Sequence, residues 1–258
     1  MNRIWSTGLA LLCLIAAAQI LQGDEFRIAT DVYVGEATEP MIETITLFSG
    51  GVVYDFLQYD HDGIHREEFT VFDFKRNRIV LLDPRRRIKT TLTPEFVMDF
   101  VAQIKARLQD SGKTDFTDPK FELEYDGESR RLILKNDRMK YELKGMRPKT
   151  RDSFRQYVEF ADWCARVNAI RPGNAPPFAR LRINSELADR QWLPTEVVRT
   201  IYYRKGLRKR EYVVRTHHRT SWVLSQSDRQ RIDRAGTAMA AYTAVPYLDY
   251  FGIAKTQP

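Results

Sequence analysis

The residues best suited to bind a metal are a group of histidines and aspartates early in the chain. They are Asp60, His61, Asp62 and His65. Their close spacing is not that of a zinc site. A calcium loop starting at Asp60 would need an acidic residue where Val71 stands, and one starting at Asp62 would need a glycine where Glu67 stands. The pattern is more typical of a solvated turn, so we predict no metal site.

The other polar residues do not form a recognisable catalytic group. His217 and His218 are adjacent, so on an extended strand their side chains face opposite sides. Glu122 and Glu124 share a strand face, but that face is also the usual polar side of a half-buried sheet. Nucleophile-elbow, P-loop, dinucleotide-binding and zinc-protease motifs do not occur. We predict no catalytic residue and no cofactor, and keep an enzyme of unrecognised type as a third hypothesis.

The first residues, 1–23, have the pattern of a secretory signal peptide. A basic start at Arg3 precedes an apolar run at 9–18, and small residues offer cleavage after Ala18 or Gly23. The run is shorter than the roughly 20 apolar residues of a membrane span, which disfavours a membrane anchor. Leu12 stands before Cys13 where a lipoprotein signal needs a small residue, which disfavours a lipid anchor. We therefore predict export to the periplasm or the extracellular space.

The remaining chain, 24–258, is predicted to be a single domain. The sequence is 43% apolar, which suffices for a hydrophobic core, and it shows no fixed-period repeat. Once residues 1–23 are removed, Cys164 is the sole cysteine and no internal disulfide is possible. Cys164 shares a helical stripe with Tyr157 and Ala161, so we predict a buried and inert thiol. The sequence leaves the oligomeric state open.

Basic residues are concentrated at two predicted strand ends. The formal net charge is +7 and the isoelectric point is about 9.4, which favours an anionic partner such as a phospholipid surface or an acidic polymer. Export and the absence of interleaved aromatic residues argue against nucleic acid. The clusters either form an anion-contacting rim or keep turns soluble and sheet edges unpaired. Their members are Arg85, Arg86, Arg87, Arg204, Lys205, Arg208, Lys209 and Arg210.

Alternating apolar residues predict an antiparallel sheet in the first half of the chain. Strands are predicted at 26–34, 42–48 and 52–57, followed by a three-stranded meander that ends at Leu92. Thr93 is the expected N-cap of the next helix, Pro94 its first residue, and Leu92 a staple against Val97.

A second meander at 121–125, 132–134 and 139–143 predicts a sheet with one apolar face. That face is the candidate ligand-binding surface if covering helices leave it open. Its residues are Phe121, Leu123, Tyr125, Leu132, Leu134, Met139, Tyr141 and Leu143.

The remaining elements are predicted as follows. A helix starts at Asp152, the segment 171–177 breaks it, and a short helix follows at 178–190. Strands at 197–203 and 211–216 pair across Lys205-Gly206, and a last strand lies at 222–224. A capping box of Ser227 and Gln230 opens a final helix to about Tyr242, and the tail is loose. The fold class is therefore α+β, a curved antiparallel sheet forming an unclosed half-barrel covered by several helices.

Two stretches carry a resemblance to a known family. Residues 69–92, FTVFDFKRNRIVLLDPRRRIKTTL, with their Asp-Pro turn, and residues 192–214, WLPTEVVRTIYYRKGLRKREYVV, with their Pro-led hairpin, resemble the periplasmic lipoprotein-carrier family of LolA, LolB and LppX-type proteins. The resemblance implies an unclosed barrel whose concave side holds an acyl chain or another hydrophobic molecule. The two helices expected before Pro194 depart from the family pattern.

Two binding functions follow from these observations. The first is an exported non-enzymatic protein that binds a lipid or a lipidated protein on the apolar concave face. The second is an envelope or extracellular module that binds an acidic polymer or a partner protein through its basic turns. A cavity on the apolar face would distinguish the first from the second.

Overall fold

The computed structural model describes residues 24–61, 63–205 and 208–253. The predicted signal peptide lies outside these residues, as do Asp62 and residues 206–207. The first strands are β1 (Phe26–Val34), β2 (Ile42–Ser49), β3 (Val52–His61), β4 (Ile64–Asp73), β5 (Arg78–Asp83) and β6 (Ile88–Leu92). The later strands are β7 (Glu122–Asp126), β8 (Arg131–Lys135), β9 (Met139–Met146), β10 (Leu193–Lys205), β11 (Arg208–Ser221) and β12 (Thr243–Ala244). The helices are α1 (Pro94–Asp110), α2 (Arg151–Ala169), α3 (Phe178–Asp189), α4 (Gln226–Ala241) and α5 (Tyr247–Tyr250).

All the strands join one 12-stranded sheet in the order β12-β6-β5-β4-β3-β2-β1-β11-β10-β9-β8-β7. Neighbouring strands are antiparallel, except that β12 runs parallel to β6. The edge strands β12 and β7 do not pair with each other in the described chain, so the curved sheet is unclosed. This confirms the predicted α+β class.

The two faces of the sheet carry different helices. On the face that we call inner, buried side chains of β1 to β6 pack against α1, α2 and α5, and those of β8 and β9 pack against α3. On the outer face, α4 packs its alanines Ala235 and Ala238 against residues such as Phe56 and Val80. Alternation explains this division, since Val71 and Phe72 are adjacent on β4 and are buried on opposite faces.

Side-chain caps fix the start of the two long helices on the inner face, α1 and α2. The Thr93 side chain accepts a hydrogen bond of 3.2 Å from the Phe96 backbone N–H, and Pro94 is the first residue of α1, as predicted. Thr150 and Ser153 cap α2 reciprocally, with N–O distances of 3.0 and 3.2 Å. The predicted start of this helix was therefore correct to within one residue.

Three predictions near the C-terminus were wrong. Residues 222–224 do not form a strand: β11 ends at Ser221 in its pairing with β1, and a bend at 222–223 follows. The capping box is made by Ser225 and Asp228, and Asp228 caps more effectively because its carboxylate also accepts from the Ser225 N–H at 2.9 Å. The tail is not loose up to residue 253: it forms β12 and α5, with Tyr250 buried at 2% exposure.

Candidate functional site

The main cavity of the described chain lies between the inner face of the sheet and α2. Its volume is about 850 Å³, which is within the range of roughly 300–1,000 Å³ typical of small-molecule sites. Strands β1 to β4 and β9 to β11 supply its floor, and α2, the α2–α3 loop and the first turn of α3 supply its roof.

Strand register explains which side chains form the floor. Thr30 on β1 pairs with Thr44 on β2 and with His218 on β11, and Leu57 on β3 pairs with Thr44 and with Glu68 on β4. All five line the cavity, because directly opposed residues of antiparallel strands point to the same face. The floor therefore combines threonine hydroxyls with aliphatic side chains.

Phe72 and Phe160 line the cavity at one end of the strands and belong to a larger aromatic cluster. Phe26 and Phe48 are stacked with ring centroids 4.0 Å apart, and Phe160 of α2 meets Phe48 and Phe72 edge to face at 5.5 and 5.4 Å. Three of these rings belong to one cross-strand row, in which Phe26 pairs with Phe48 and Phe72 pairs with Val53 next to it. The cavity thus extends from this row toward the opposite end of the strands.

That opposite end is where most of the sheet's tight turns lie. Because alternate strands of an antiparallel sheet run in the same direction, β1, β3, β5 and β10 all end there. We call it the turn end. It carries the β1–β2, β3–β4, β5–β6 and β10–β11 connections.

An ion pair ties the roof to the floor. Arg171, at the start of the α2–α3 loop, pairs with Glu68 on β4, and Glu68 also accepts a hydrogen bond of 3.0 Å from the Tyr59 hydroxyl. Burial alone would lower the pKa of Arg171, but the adjacent Glu68 carboxylate outweighs it and the pKa is raised. The guanidinium is therefore charged, and it holds the loop over the sheet.

Two titratable groups on the cavity floor, Asp55 and His218, have shifted pKa values. Burial raises the pKa of Asp55 to about 6, although a 2.7 Å hydrogen bond from Thr46 and the charge of Arg171 oppose the shift. Burial, followed by the charge of Arg180, lowers the pKa of His218 to about 3. At neutral pH the imidazole is therefore uncharged, and Asp55 is largely ionised.

Cys164 of α2 lies on the cavity wall and is half-buried. Burial is the main reason why its pKa rises to about 12, and the negative charge of Asp55 adds to the effect. The thiol is therefore protonated at physiological pH and is not activated as a nucleophile.

Two arginines on the cavity wall have no carboxylate partner in the described part of the chain. Arg180 lies in the first turn of α3 and Arg199 in the middle of β10. The Nε atom of Arg199 is buried and has no hydrogen-bond partner among the described residues. An uncompensated guanidinium in a largely apolar cavity is a candidate anion-binding group.

The eight residues predicted as an apolar ligand-binding face fall into three groups. Met139 and Tyr141 line the cavity. Leu132, Leu134 and Leu143 are on the same face but are covered by Ile183, Leu187 and Trp192, which lie in α3 and just after it. Phe121 is half-buried against that cluster, and Leu123 and Tyr125 on the edge strand are exposed. The second meander thus contributes chiefly hydrophobic core, and the strands of the first half provide most of the floor.

The basic residues predicted as an anion-contacting rim all lie at the turn end, though in two separate turns. Arg85, Arg86 and Arg87 are exposed in the β5–β6 turn. Arg86 is held there by Asp83 at 2.6 Å and by the carbonyl oxygen of Tyr250 at 2.6 Å. In the β10–β11 hairpin the exposed residues are Arg204, Arg208, Lys209 and Arg210, and Lys205 is the last residue of β10 in the same hairpin.

The histidine and aspartate group early in the chain lies in the β3–β4 hairpin. His65 is exposed, and its Nδ1 lies 3.0 Å from the Asp60 carboxylate. No group of three or more metal-binding side chains occurs among the residues with described positions. His217 lies on the outer face, against Tyr33, and His218 lies on the inner face, as their adjacency predicted.

Sequence reasoning missed the polar residues of the cavity. Asp55, Arg180 and Arg199 were not singled out, and the segment 171–177 was treated only as a helix break. Alternation along β3 and β10 does place Asp55 and Arg199 on the same strand faces as Leu57 and Val197, which was an available signal. No comparable signal in the sequence places Arg180 or the loop over the sheet.

Comparisons with known proteins identify no family. No family model and no curated protein matches the chain. Among solved structures, the chain is similar to a porin-like protein from Bacteroides uniformis, at a TM-score of 0.26 and 7% identity, covering 77% of this chain and 98% of that one. At this TM-score the likeness carries no argument. None of the helices in the described ranges is long and apolar enough to cross a membrane.

Proposed function

We propose that this protein is an exported, non-enzymatic lipid-binding protein that holds a lipid, or the acyl chain of a lipidated protein, in its inner cavity. The observation that carries the proposal is the cavity of about 850 Å³ between the sheet and α2. Well-packed interiors contain few voids larger than a water molecule, so a space of this size needs an occupant or a role. The sequence resemblance to the lipoprotein-carrier family supports the same class of ligand.

The composition of the wall supports an elongated amphiphile over a polar metabolite. The end at Phe72 and Phe160 is aromatic, and aliphatic side chains such as Ile28, Leu57 and Ile201 line the rest of the cavity. Threonine hydroxyls and charged groups are interspersed and can bind the polar part of the ligand.

A pair of variants tests whether the cavity binds the ligand. Leu57 lines the cavity, so Leu57→Trp should fill it and weaken the saturable binding of a fluorescent fatty acid at least 10-fold with little loss of stability. Leu134 is fully buried under α3, so Leu134→Ala should destabilise the fold by roughly 2–5 kcal/mol and leave the affinity of the folded protein unchanged. Absence of saturable binding to the unmodified protein, or equal effects of both variants on affinity, would contradict the proposal.

The turn end favours a second candidate function, attachment to an anionic surface. The two basic turns share this end with exposed apolar side chains at Met41, Ile64, Tyr203 and Tyr212. Exposed apolar residues bordered by basic ones are typical of surfaces that contact phospholipid head groups, and an acidic polymer would need only the charges. Attachment at this end would bring the cavity close to a membrane that supplies or receives its ligand.

Charge reversal in the hairpin tests this attachment. The triple substitution Arg208→Glu, Lys209→Glu and Arg210→Glu should abolish salt-sensitive binding to vesicles that contain phosphatidylglycerol, with the thermal transition unchanged. Arg86 is unsuitable for this test because it is bonded to Asp83 and Tyr250. Vesicle binding that survives the reversal would contradict attachment through this hairpin.

A further inference from the structure

The arginines of the cavity divide into one that is neutralised and two that are not. Arg171 is paired with Glu68, and it also acts on the carboxylate of Asp55, which accepts a hydrogen bond from Thr46. Both acidic side chains of the cavity are therefore associated with Arg171. Arg180 and Arg199 form no ion pair with a carboxylate in ranges 24–61, 63–205 and 208–253.

The pairing of β10 with both of its neighbours fixes the backbone of Arg199 in the sheet. Arg199 pairs with Tyr141 on β9 and with Val214 on β11, and both neighbours also line the cavity. Its Nε atom is shielded from solvent and lacks a hydrogen-bond partner among the described residues. A guanidinium keeps its charge in such surroundings, so desolvation without a counter-ion is costly.

Arg180 approaches the same space from the roof. It lines the cavity from the first turn of α3, and its positive charge acts on Tyr157, Cys164 and His218, which also line the cavity. None of these three neighbours can neutralise it. His218 is uncharged and holds Thr30 and Thr216 through its two ring nitrogens at 2.9 and 3.1 Å, and both the phenol and the thiol are protonated at neutral pH.

We propose that Arg180 and Arg199 bind the anionic head group of the ligand, so that the cavity selects an acyl chain that carries a carboxylate or a phosphate. This inference rests on the proposed lipid-binding function and specifies its ligand class. The head group lies between α3 and β10, and the tail runs toward the aromatic end at Phe72 and Phe160. Guanidinium groups suit this task because they form paired, charge-assisted hydrogen bonds with carboxylates and phosphates.

The experiment compares ligands that differ only in the head group. The full chain, expressed with its own N-terminal segment and purified as its host processes it, is stripped of bound lipid and titrated with oleate and with oleyl alcohol. Oleate should bind at least 10-fold more tightly. A second pair, lysophosphatidate and monooleoylglycerol, distinguishes the two anions: the tighter of oleate and lysophosphatidate identifies the preferred head group.

The double variant Arg180→Gln, Arg199→Gln should bind oleate at least 10-fold more weakly and oleyl alcohol with unchanged affinity. The matched control is Lys105→Gln, Lys113→Gln, which removes two charges from exposed positions outside the cavity and should change neither affinity. If the arginine variant does not fold, the comparison of oleate with oleyl alcohol in the unmodified protein still tests whether the cavity selects an anionic head group.

The outcomes separate the two proposals. Equal affinity for the charged and the neutral ligand of each pair would overturn the head-group site while supporting the lipid cavity. An equal loss of oleate binding in the lysine control would also overturn the site. Binding of none of these ligands would overturn the proposed function itself.

Discussion

Asp55 occupies an unfavourable position for a charged group. Its carboxyl lies on the cavity wall, and its described direct contact is the Thr46 hydroxyl at 2.7 Å. Burial accounts for its raised pKa, so ionisation of this residue costs folding free energy. A charged side chain on a cavity wall that costs folding free energy is expected at a functional site.

The stability of Asp55→Asn should therefore depend on pH. The pKa rises from 3.8 to about 6 on folding, so its favourable contribution is complete below 3.8 and is lost as the pH rises through 6. At pH 8 the variant should be more stable than the unmodified protein by up to about 3 kcal/mol, and at pH 4 this difference should fall to about 0.5 kcal/mol. Urea unfolding at both pH values measures this, and the comparison cancels the opposite contribution of His218. An identical difference at pH 4 and pH 8 would contradict it.

The reactivity of Cys164, a residue of α2, tests whether the cavity wall is shielded from solvent. Since burial raises the pKa of the thiol to about 12, reaction with a bulky thiol reagent at pH 8 should be far slower than in the unfolded chain. Bound oleate should slow it further, because the thiol lines the cavity. The rate of thiol labelling, measured with and without oleate, tests both expectations. A native rate as fast as that of the unfolded chain would show that the wall is open to solvent.

At the scale of elements, the local signals in the sequence were strong. Alternation predicted both meanders, and the side chains of Thr93 and Pro94 fixed the start of α1. Near the C-terminus the same signals were ambiguous, because two serines and an aspartate stand close together at 225–228 and any of them could cap a helix. The short tail helix α5 depends on tertiary contacts of Tyr250 and Arg86, which no local pattern contains.

Packing of α3 against the second meander depends on a glycine. A Cβ atom at Gly145 would lie 2.9 Å from the ring of Trp192, which is itself buried. Gly145→Ala should therefore destabilise the fold by about 1–3 kcal/mol.

Gly236 provides the matched control. It lies in α4, and a Cβ atom there would have no neighbour within 4 Å. Gly236→Ala should stabilise the protein by roughly 0.5–1 kcal/mol through helix propensity. Chemical denaturation of both variants measures the difference. If the two alanine variants changed stability in the same direction, the close contact of Gly145 with Trp192 would be contradicted.

At the scale of the whole molecule, the sequence predicted the sheet and its inner face but not the cavity. Apolar alternation shows that a face is buried, and it cannot show whether helices fill the space above it. Leu134 is covered by α3, whereas Leu57 faces empty volume, although both are leucines on predicted strands. The difference arises from the placement of α2 and of loop 171–177, which tertiary packing decides.

The position of α2 and of loop 171–177 also leaves the cavity close to the exposed basic and apolar residues of the turn end. The cavity extends toward the turn end, and there the basic hairpin and exposed apolar residues such as Ile64 are found. A carrier that exchanges an acyl ligand with a membrane needs its ligand space near its attachment surface. The proposed lipid-binding function therefore requires above all that the cavity is occupied by a lipid in the cell.

Native mass spectrometry of the protein purified from its own source tests this most directly. The lipid-bound protein should appear as a species heavier than the polypeptide by the mass of an acyl lipid, which organic extraction removes and added oleate restores as a 1:1 complex. A polypeptide mass without any adduct, together with no uptake of added lipid, would contradict the account.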